Sequence, residues 1–170
     1  MAPLPKVRFI PECHADTTLV RFLTGGFPNI DHEPGISSVA KNFESVRDKT
    51  YKLVGIVDDD KQTPKYLDDF KLVKKSDGVM LKKKQGKEHY LIVISPALEK
   101  FLMENCNAVG KTMKDFKLPD DLRSLTAITK NPRIGRNPNF HNLVQGLLKR
   151  NAPGLVTLKS YLADFLRKID

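Results

Sequence analysis

Apolar runs alternate with amphipathic segments along the first two thirds of the chain, which predicts strands and helices in turn. Residues 6–12 (KVRFIPE) lean apolar and predict a first strand. Residues 51–57 (YKLVGIV) are apolar almost throughout, as expected for a strand that helices cover on both faces. Shorter apolar runs predict later strands at 72–73, 79–81 and 90–94.

Helices are predicted beside these strands. Asp16 or Thr17 is expected to cap a first helix that ends at a Gly-Gly pair. Apolar residues at helical spacing predict a second helix over 36–49. Pro64 and Pro96 are expected to open two further helices, because proline is favoured in the first helical turn.

The last third of the chain reads as helical, with leucine stripes at 143–148 and 155–166 and a Pro/Gly/Asn-rich connector at 130–139. The stripes are interpreted as core or as partner-facing helix surfaces. Strand–helix alternation followed by helices alone predicts an α/β core over 1–105. A helical C-terminal extension over 106–170 is expected to pack on that core.

Composition changes this picture little. The 170 residues are 40% hydrophobic and 29% charged, which is enough apolar material for a folded core. No apolar run approaches the roughly 18 residues of a membrane-spanning helix, and the N-terminal residues lack the apolar stretch of a signal peptide. We therefore expect a soluble cytoplasmic protein with no membrane partner, in which Cys13 and Cys106 are reduced thiols. The spacing of histidines and cysteines predicts no zinc site.

The net charge of +9 favours a polyanionic partner, chiefly nucleic acid. A lysine-rich turn over 82–87 is expected to link the last two strands as a basic hairpin. A solvated, aggregation-resistant edge would give the same pattern, so both interpretations stay open. The candidate nucleic-acid contacts are Lys61, Lys82, Lys83, Lys84, Lys87, Arg133 and Arg136.

Acidic residues follow two of the predicted strands. Glu12 ends the first strand, Asp16 comes one turn later, and Asp58, Asp59 and Asp60 follow the buried strand directly. If the two strands are neighbours, these carboxylates share one rim of the sheet. Alternation along the extended chain turns Asp58 and Asp60 to one side and Asp59 to the other. Clustered carboxylates favour a hard cation, Mg²⁺ or Mn²⁺, although a solvated turn and a helix cap would also explain them.

Three segments together resemble the Toprim domain. Residues 10–16 (IPECHAD) are similar to its strand followed by Glu-Gly-x-x-Asp, and residues 54–60 (VGIVDDD) to its strand followed by Asp-x-Asp. Residues 95–99 (SPALE) are similar to a Pro-x-Leu-Glu segment of compact Toprim-like nucleases of the overcoming-lysogenization-defect type. The chain departs from the family at Cys13, where the motif has glycine, and it lacks the glycine that usually follows Asp-x-Asp.

The resemblance implies a Toprim-like, Rossmann-like, mainly parallel sheet flanked by helices. It implies that Glu12 acts as general acid/base or metal ligand and that Asp58 and Asp60 coordinate Mg²⁺. Asp16 would assist in metal binding, and Glu99 would complete the cluster.

The leading functional hypothesis is a small Mg²⁺-dependent Toprim-like nuclease. The alternative is a catalytically inactive nucleic-acid-binding or regulatory subunit of a larger assembly, with a protein partner or a second copy. A receiver-type phospho-acceptor also places aspartates at strand ends, but it carries its acidic pair after the first strand, the reverse of this chain.

Overall fold

A five-stranded mixed sheet, in the order β1-β2-β5-β4-β3, lies at the centre of the computed structural model, which describes residues 5–59 and 62–167. The strands are β1 Val7–Pro11, β2 Lys52–Asp58, β3 Phe70–Ser76, β4 Val79–Lys84 and β5 His89–Ile94. Neighbours β1, β2 and β5 run parallel, whereas β4 is antiparallel to both β5 and β3. The α/β class is therefore confirmed.

The sheet is mixed rather than mainly parallel. Only the turn at 77–78 separates β3 from β4, and residues 85–88 separate β4 from β5. Connections this short cannot bring a strand back in parallel, which takes a crossover of a dozen residues or more. The parallel prediction therefore holds only for the first part of the sheet.

Six helices accompany the sheet in the described residues. They are α1 His14–Leu23, α2 Ile36–Ser45, α3 Leu98–Ala108, α4 Leu122–Thr129, α5 Pro138–Lys149 and α6 Pro153–Leu166. Short 3-10 turns form at Lys65–Leu67, Met113–Phe116 and Ile134–Arg136. None of the helices within the described ranges combines the length and apolar character needed to cross a membrane.

Several element boundaries differ from the prediction. Cys13, rather than Asp16 or Thr17, caps α1, because its sulfur accepts the Asp16 N–H and the helix begins two residues before Asp16. The second helix ends at Ser45, since Val46 is already extended. After Pro64 only a 3-10 turn forms, and Phe70 begins a strand instead of ending a helix.

The two faces of the sheet carry separate hydrophobic clusters. Side chains alternate along β2, so Val54 and Ile56 pack beneath α1, α3 and the C-terminal helices, whereas Leu53 and Val57 pack beneath α2. Gly55 lies close beneath α2: a Cβ there would come within 3.0 Å of Val39 Cγ1 and 3.1 Å of Phe43 Cε2, both on that helix. This fit holds β2, and thus the acidic residue at its end, firmly between the layers.

The C-terminal helices share one cluster of buried residues with the sheet. Phe9 and Ile94 of the sheet belong to the same cluster as Leu143 of α5 and Leu158 of α6. Asn105 joins the two parts, because its Oδ1 accepts the N–H of Gly154 at 2.8 Å while its Nδ2 donates to the α3 backbone. The domain division near residue 105 stays a prediction.

Candidate metal centre

The ends of β1 and β2 bring Glu12 and Asp58 together. The two strands are parallel neighbours, with Pro11 opposite Ile56, so both chains leave the sheet at the same rim. The N–H of Glu12 donates to the carbonyl of Ile56 at 3.1 Å and extends the pairing by one residue. Oε1 of Glu12 then accepts the N–H of Asp58 at 2.5 Å. The Glu12 carboxylate is thereby held across the end of β2.

Asp58 and Asp59 accept hydrogen bonds from different groups near the start of α3. Oδ1 of Asp58 accepts the N–H of Leu98 at 3.0 Å, at the first residue of α3, where the helix dipole favours a negative charge. Oδ2 of Asp59 accepts instead from the hydroxyl of Ser95 at 3.0 Å. The two side chains thus have different partners, although both border one pocket, and the alternation predicted for this stretch stays a prediction. Asp60 lies outside the described residues.

Asp16, on helix α1, is the third carboxylate of the cluster. It is the third residue of α1 and is fully buried. Within the described part of the chain, neither of its carboxylate oxygens accepts a hydrogen bond from a nitrogen or oxygen donor. One oxygen from each of Glu12, Asp16 and Asp58 lies within 4.8 Å of the others. This group of three carboxylates could hold a metal ion.

The electrostatics of the cluster disfavour a charged Asp16. Burial raises the pKa of its carboxyl well above 3.8, and the negative charge of Asp58, followed by those of Glu12 and Glu99, raises it further. A buried carboxylate without a compensating charge must take up a proton or bind a cation. A metal ion placed between the three acids would supply positive charge that offsets both the burial of Asp16 and the repulsion from its neighbours.

Cys13 does not provide a reactive thiolate at this rim. Burial, followed by the charge of Asp16, raises the pKa of its thiol far above the usual range. The thiol therefore stays protonated. Its sulfur accepts the Asp16 N–H at 3.3 Å as the cap of α1, and the thiol also forms a hydrogen bond with the Asp16 carboxylate, which partly offsets the rise that burial causes in the pKa of that carboxyl. The backbone of Cys13 is extended, with φ −141° and ψ 169°, a conformation that needs no glycine.

Glu99 lies next to the cluster but outside the group of three. Its Oε1 accepts the hydroxyl of Thr129, the last residue of α4, at 2.5 Å. Its charge nevertheless contributes to the raised pKa of Asp16. Thr129 was missed by sequence reasoning, because a threonine at the end of a helix gives no signal of a distant carboxylate partner.

Lys83 lies away from the acidic rim, whereas Lys82 borders the same pocket as Asp58. Lys82, Lys83 and Lys84 belong to β4, so the prediction that they form a hairpin turn is wrong; the turn occupies 85–88. Residue 83 pairs with Tyr90 near the start of β5, whereas Asp58 pairs with Ile94 at its end.

The side chains of these lysines have partners of their own. Lys83 forms an ion pair with Glu88 at 3.6 Å. Lys84 forms one with Asp69 at 2.6 Å and lies over the Tyr66 ring. Lys82 lines a pocket of about 170 Å³ beneath α2, which Asp58 and Asp59 also border. Lys87 lies in the 85–88 turn, and Lys61 lies outside the described residues.

The two connector arginines lie on a segment that packs against α1, on the side of the helix opposite Asp16. Arg133 and Arg136 flank a 3-10 turn whose buried residue is Ile134, and both arginines are exposed. The turn rests on α1, since a Cβ on Gly135 would come within 3.2 Å of Thr18 Oγ1. The connector also starts directly after Thr129, the partner of Glu99.

A stacked pair of histidines, His14 at the start of α1 and His32 in the segment before α2, was not anticipated. The rings of His14 and His32 stack with centroids 4.2 Å apart, and Nδ1 of His32 lies 3.1 Å from Oγ1 of Thr17. His14 and Asp16 are two positions apart on α1, so they lie on opposite sides of the helix. The pair therefore lies on the outer face of α1, away from the three carboxylates.

Comparisons with protein-family models, with curated proteins and with solved structures find no match for this chain. What the fold and the site define is an α/β protein with three carboxylates gathered at the carboxyl ends of two parallel strands.

Proposed function

We propose that this protein is a small Toprim-like nuclease that uses a divalent cation to hydrolyse phosphodiester bonds in nucleic acid. The observation that carries the proposal is the state of Asp16: fully buried, without a nitrogen or oxygen donor among the described residues, and grouped with Glu12 and Asp58. A purely structural aspartate would be expected to have stronger hydrogen-bond donors than the Cys13 thiol, which is a weak donor. A buried carboxylate that has no positively charged neighbour to balance its charge is suited to binding a cation.

The donor set favours Mg²⁺ or Mn²⁺. Carboxylate oxygens are hard ligands, and the candidate group contains no imidazole. The neighbouring Cys13 thiol stays protonated, because burial raises its pKa, so it does not supply the thiolate that would favour zinc. Asp16 and Asp58 would hold the ion, with Glu12 beside them.

The bound cation would neutralise charge on the phosphate and lower the pKa of an attacking water. Glu12 is placed to accept the proton of that water, because its Oε1 is fixed at the rim by the Asp58 N–H. Asp58 is oriented by the N–H of Leu98, which also offsets part of its negative charge. Arg133 and Arg136, on the exposed connector, would contact the substrate phosphates.

The convergence of Glu12, Asp16 and Asp58 supports the Toprim resemblance, because these are three of the motif residues that the family brings together. The substitution at Cys13 weighs less against it than the sequence suggests, since the backbone there is extended and accommodates any side chain. Asp60 would act as a further ligand, and Glu99 as an outer member of the cluster that Thr129 orients.

Cleavage assays on supercoiled plasmid and on labelled single-stranded DNA and RNA, with Mg²⁺ or Mn²⁺, test the proposal. Glu12→Gln is expected to lower the cleavage rate by about 10²–10⁴-fold, because it removes the proton acceptor. Asp58→Asn is expected to give a similar loss. Asp59→Asn is the matched control: it makes the same chemical change one residue away, on a side chain that bonds Ser95. Undiminished cleavage by both folded variants would rule out this site.

A non-catalytic nucleic-acid-binding or regulatory subunit is the second candidate. It is favoured by the fixed roles of two of the acids, since Asp58 accepts from the first turn of α3 and Glu12 accepts from Asp58. These contacts would be retained for stability in a protein that had lost turnover. The same assays separate the two candidates, because this one predicts salt-sensitive binding, no cleavage with any divalent cation, and unchanged affinity in Glu12→Gln.

A further inference from the structure

The two edges of the sheet differ in how they are covered. At β1, residues 29–33 run alongside the outer edge: the N–H of Phe9 donates to Asn29 at 3.0 Å, and the N–H of Asp31 donates to Phe9 at 2.8 Å. At the opposite edge, β3 pairs with β4 on one side only, and no described residue forms a strand on the other. The fold thus leaves one row of backbone groups available at β3.

The side chains of β3 are unusually apolar for an exposed edge. Six of its seven residues are exposed, all except Phe70. Leu72 and Val73 are each 56% exposed, compared with 43% for Leu122 and 42% for Val156, the other large apolar residues exposed in the described chain. The register shifts between Leu72 and Lys74, so Val73 has no partner on β4. An apolar pair therefore lies beside an open strand edge.

The charges around this pair determine which strand could bind there. Exposed Lys71 and Lys75 flank it, and Lys82 of β4 lies opposite Leu72. A second copy of this chain would bring lysines against lysines, which disfavours self-pairing. The same lysines attract carboxylates. The phosphates of a nucleic acid would form ion pairs with the lysines. They would not make favourable apolar contacts with Leu72 and Val73, and they would not complete the backbone pairing of the open edge.

We propose that β3 is a docking strand for a partner protein, which adds an extended segment to this edge of the sheet as a sixth strand. The register shift at Val73 places Lys71 on one face of the sheet and Leu72 and Lys75 on the other, so the segment carries one carboxylate for Lys71 on the first face and an apolar group for Leu72 and a carboxylate for Lys75 on the second. Main-chain hydrogen bonds give such strand addition its affinity, and the side chains give it specificity. This surface is separate from the three-carboxylate group and does not depend on its chemistry.

The probe is a fluorescent synthetic peptide as long as β3, seven residues, with glutamate at its second and sixth positions, to lie opposite Lys71 and Lys75, and valine and threonine elsewhere. Binding to the full chain is measured by anisotropy, and the β3 amides are followed by hydrogen exchange. Lys71→Glu with Lys75→Glu is expected to weaken binding about tenfold, since each reversed cross-strand pair changes from attraction to repulsion. Leu72→Ser with Val73→Ser is expected to weaken it about threefold or more. In the unaltered chain, the peptide is expected to slow exchange of the outward-facing β3 amides.

Matched controls distinguish strand addition from general charge attraction. Lys149→Glu with Lys159→Glu changes charge equally on exposed helix positions, and Leu122→Ser with Val156→Ser removes the other exposed apolar pair. Both are expected to leave affinity unchanged. The proposal is overturned if these controls weaken binding as much as the β3 variants do, or if a proline-containing peptide, which lacks the necessary N–H groups, binds equally well. It is also overturned if the peptide binds without protecting β3, or if an oligonucleotide protects those amides instead.

Discussion

Asp16 is the residue at which burial and charge oppose each other most strongly. Burial and the neighbouring carboxylates raise its pKa above 3.8, so the folded metal-free protein binds a proton there more tightly than the unfolded chain does. Stability therefore falls as pH rises from about the unfolded value through the raised folded value, because the unfolded state gives up its proton first. At acid pH this contribution to instability is absent.

Asp16→Asn is therefore expected to stabilise the metal-free protein near neutral pH by about 1–3 kcal/mol, since it removes a buried charge without changing side-chain size much. The difference between variant and unaltered protein should shrink towards zero as pH falls to about 4. The measurement is urea unfolding in a chelator across that pH range. Added Mg²⁺ or Mn²⁺ should raise the unfolding free energy of the unaltered protein but not that of the variant. A variant that is less stable in chelator at neutral pH would contradict this account.

The sequence allowed us to predict which acidic side chains lie close together, because a carboxylate directly after a strand has its position set by that strand. Glu12 and Asp58 follow from that rule, and Asp16 follows from its distance of one helical turn. The burial of Asp16 could not be predicted, since α1 packs against helices from the distant C-terminal part of the chain. The Thr129–Glu99 bond was hidden for the same reason.

Helix α1 offers a test at the scale of the element, because its cap is a cysteine. Sulfur is a weak acceptor, and serine is among the preferred cap residues. Cys13→Ser is expected to raise the free energy of unfolding by up to about 1 kcal/mol in urea denaturation. Cys106→Ser makes the same chemical change in the core, where the thiol is buried and contacts Met113. It is expected to lower stability by about 1–3 kcal/mol. Equal effects of the two substitutions would show that the cap is unimportant.

Helices and strands with a strong pattern of apolar residues could be predicted from the sequence, whereas exposed strands could not. Strand β2 follows directly from its nearly continuous apolar run. Strand β3 was predicted as only two residues, because lysines occupy positions that carry no burial signal at an open edge. For the same reason Lys82 to Lys84 were interpreted as a turn, although their alternate side chains face opposite sides of β4.

Across the whole molecule, the position of the basic residues indicates more about where nucleic acid would bind than the net charge of +9 does. Lys83 and Lys87 belong to the end of the sheet farthest from Asp58, as the pairing of β4 with β5 requires. Arg133 and Arg136 belong to the connector that rests on α1 and follows Thr129. A nucleic acid with its scissile phosphate at the acidic rim would therefore reach the connector before Lys83 and Lys87, whereas Lys82 borders the same pocket as Asp58.

This placement predicts different salt dependences for two double variants. With single-stranded DNA, Arg133→Gln with Arg136→Gln is expected to reduce the slope of log affinity against log salt by about 1.4, since each lost phosphate contact changes it by about 0.7. The control, Lys83→Gln with Lys87→Gln, removes the same net charge at the far end of the sheet and is expected to change the slope by less than half as much. Anisotropy titrations of a labelled oligonucleotide over a range of salt concentrations give both slopes. A larger change in the lysine variant would place the nucleic acid at the opposite end of the sheet, out of reach of Glu12 and Asp58.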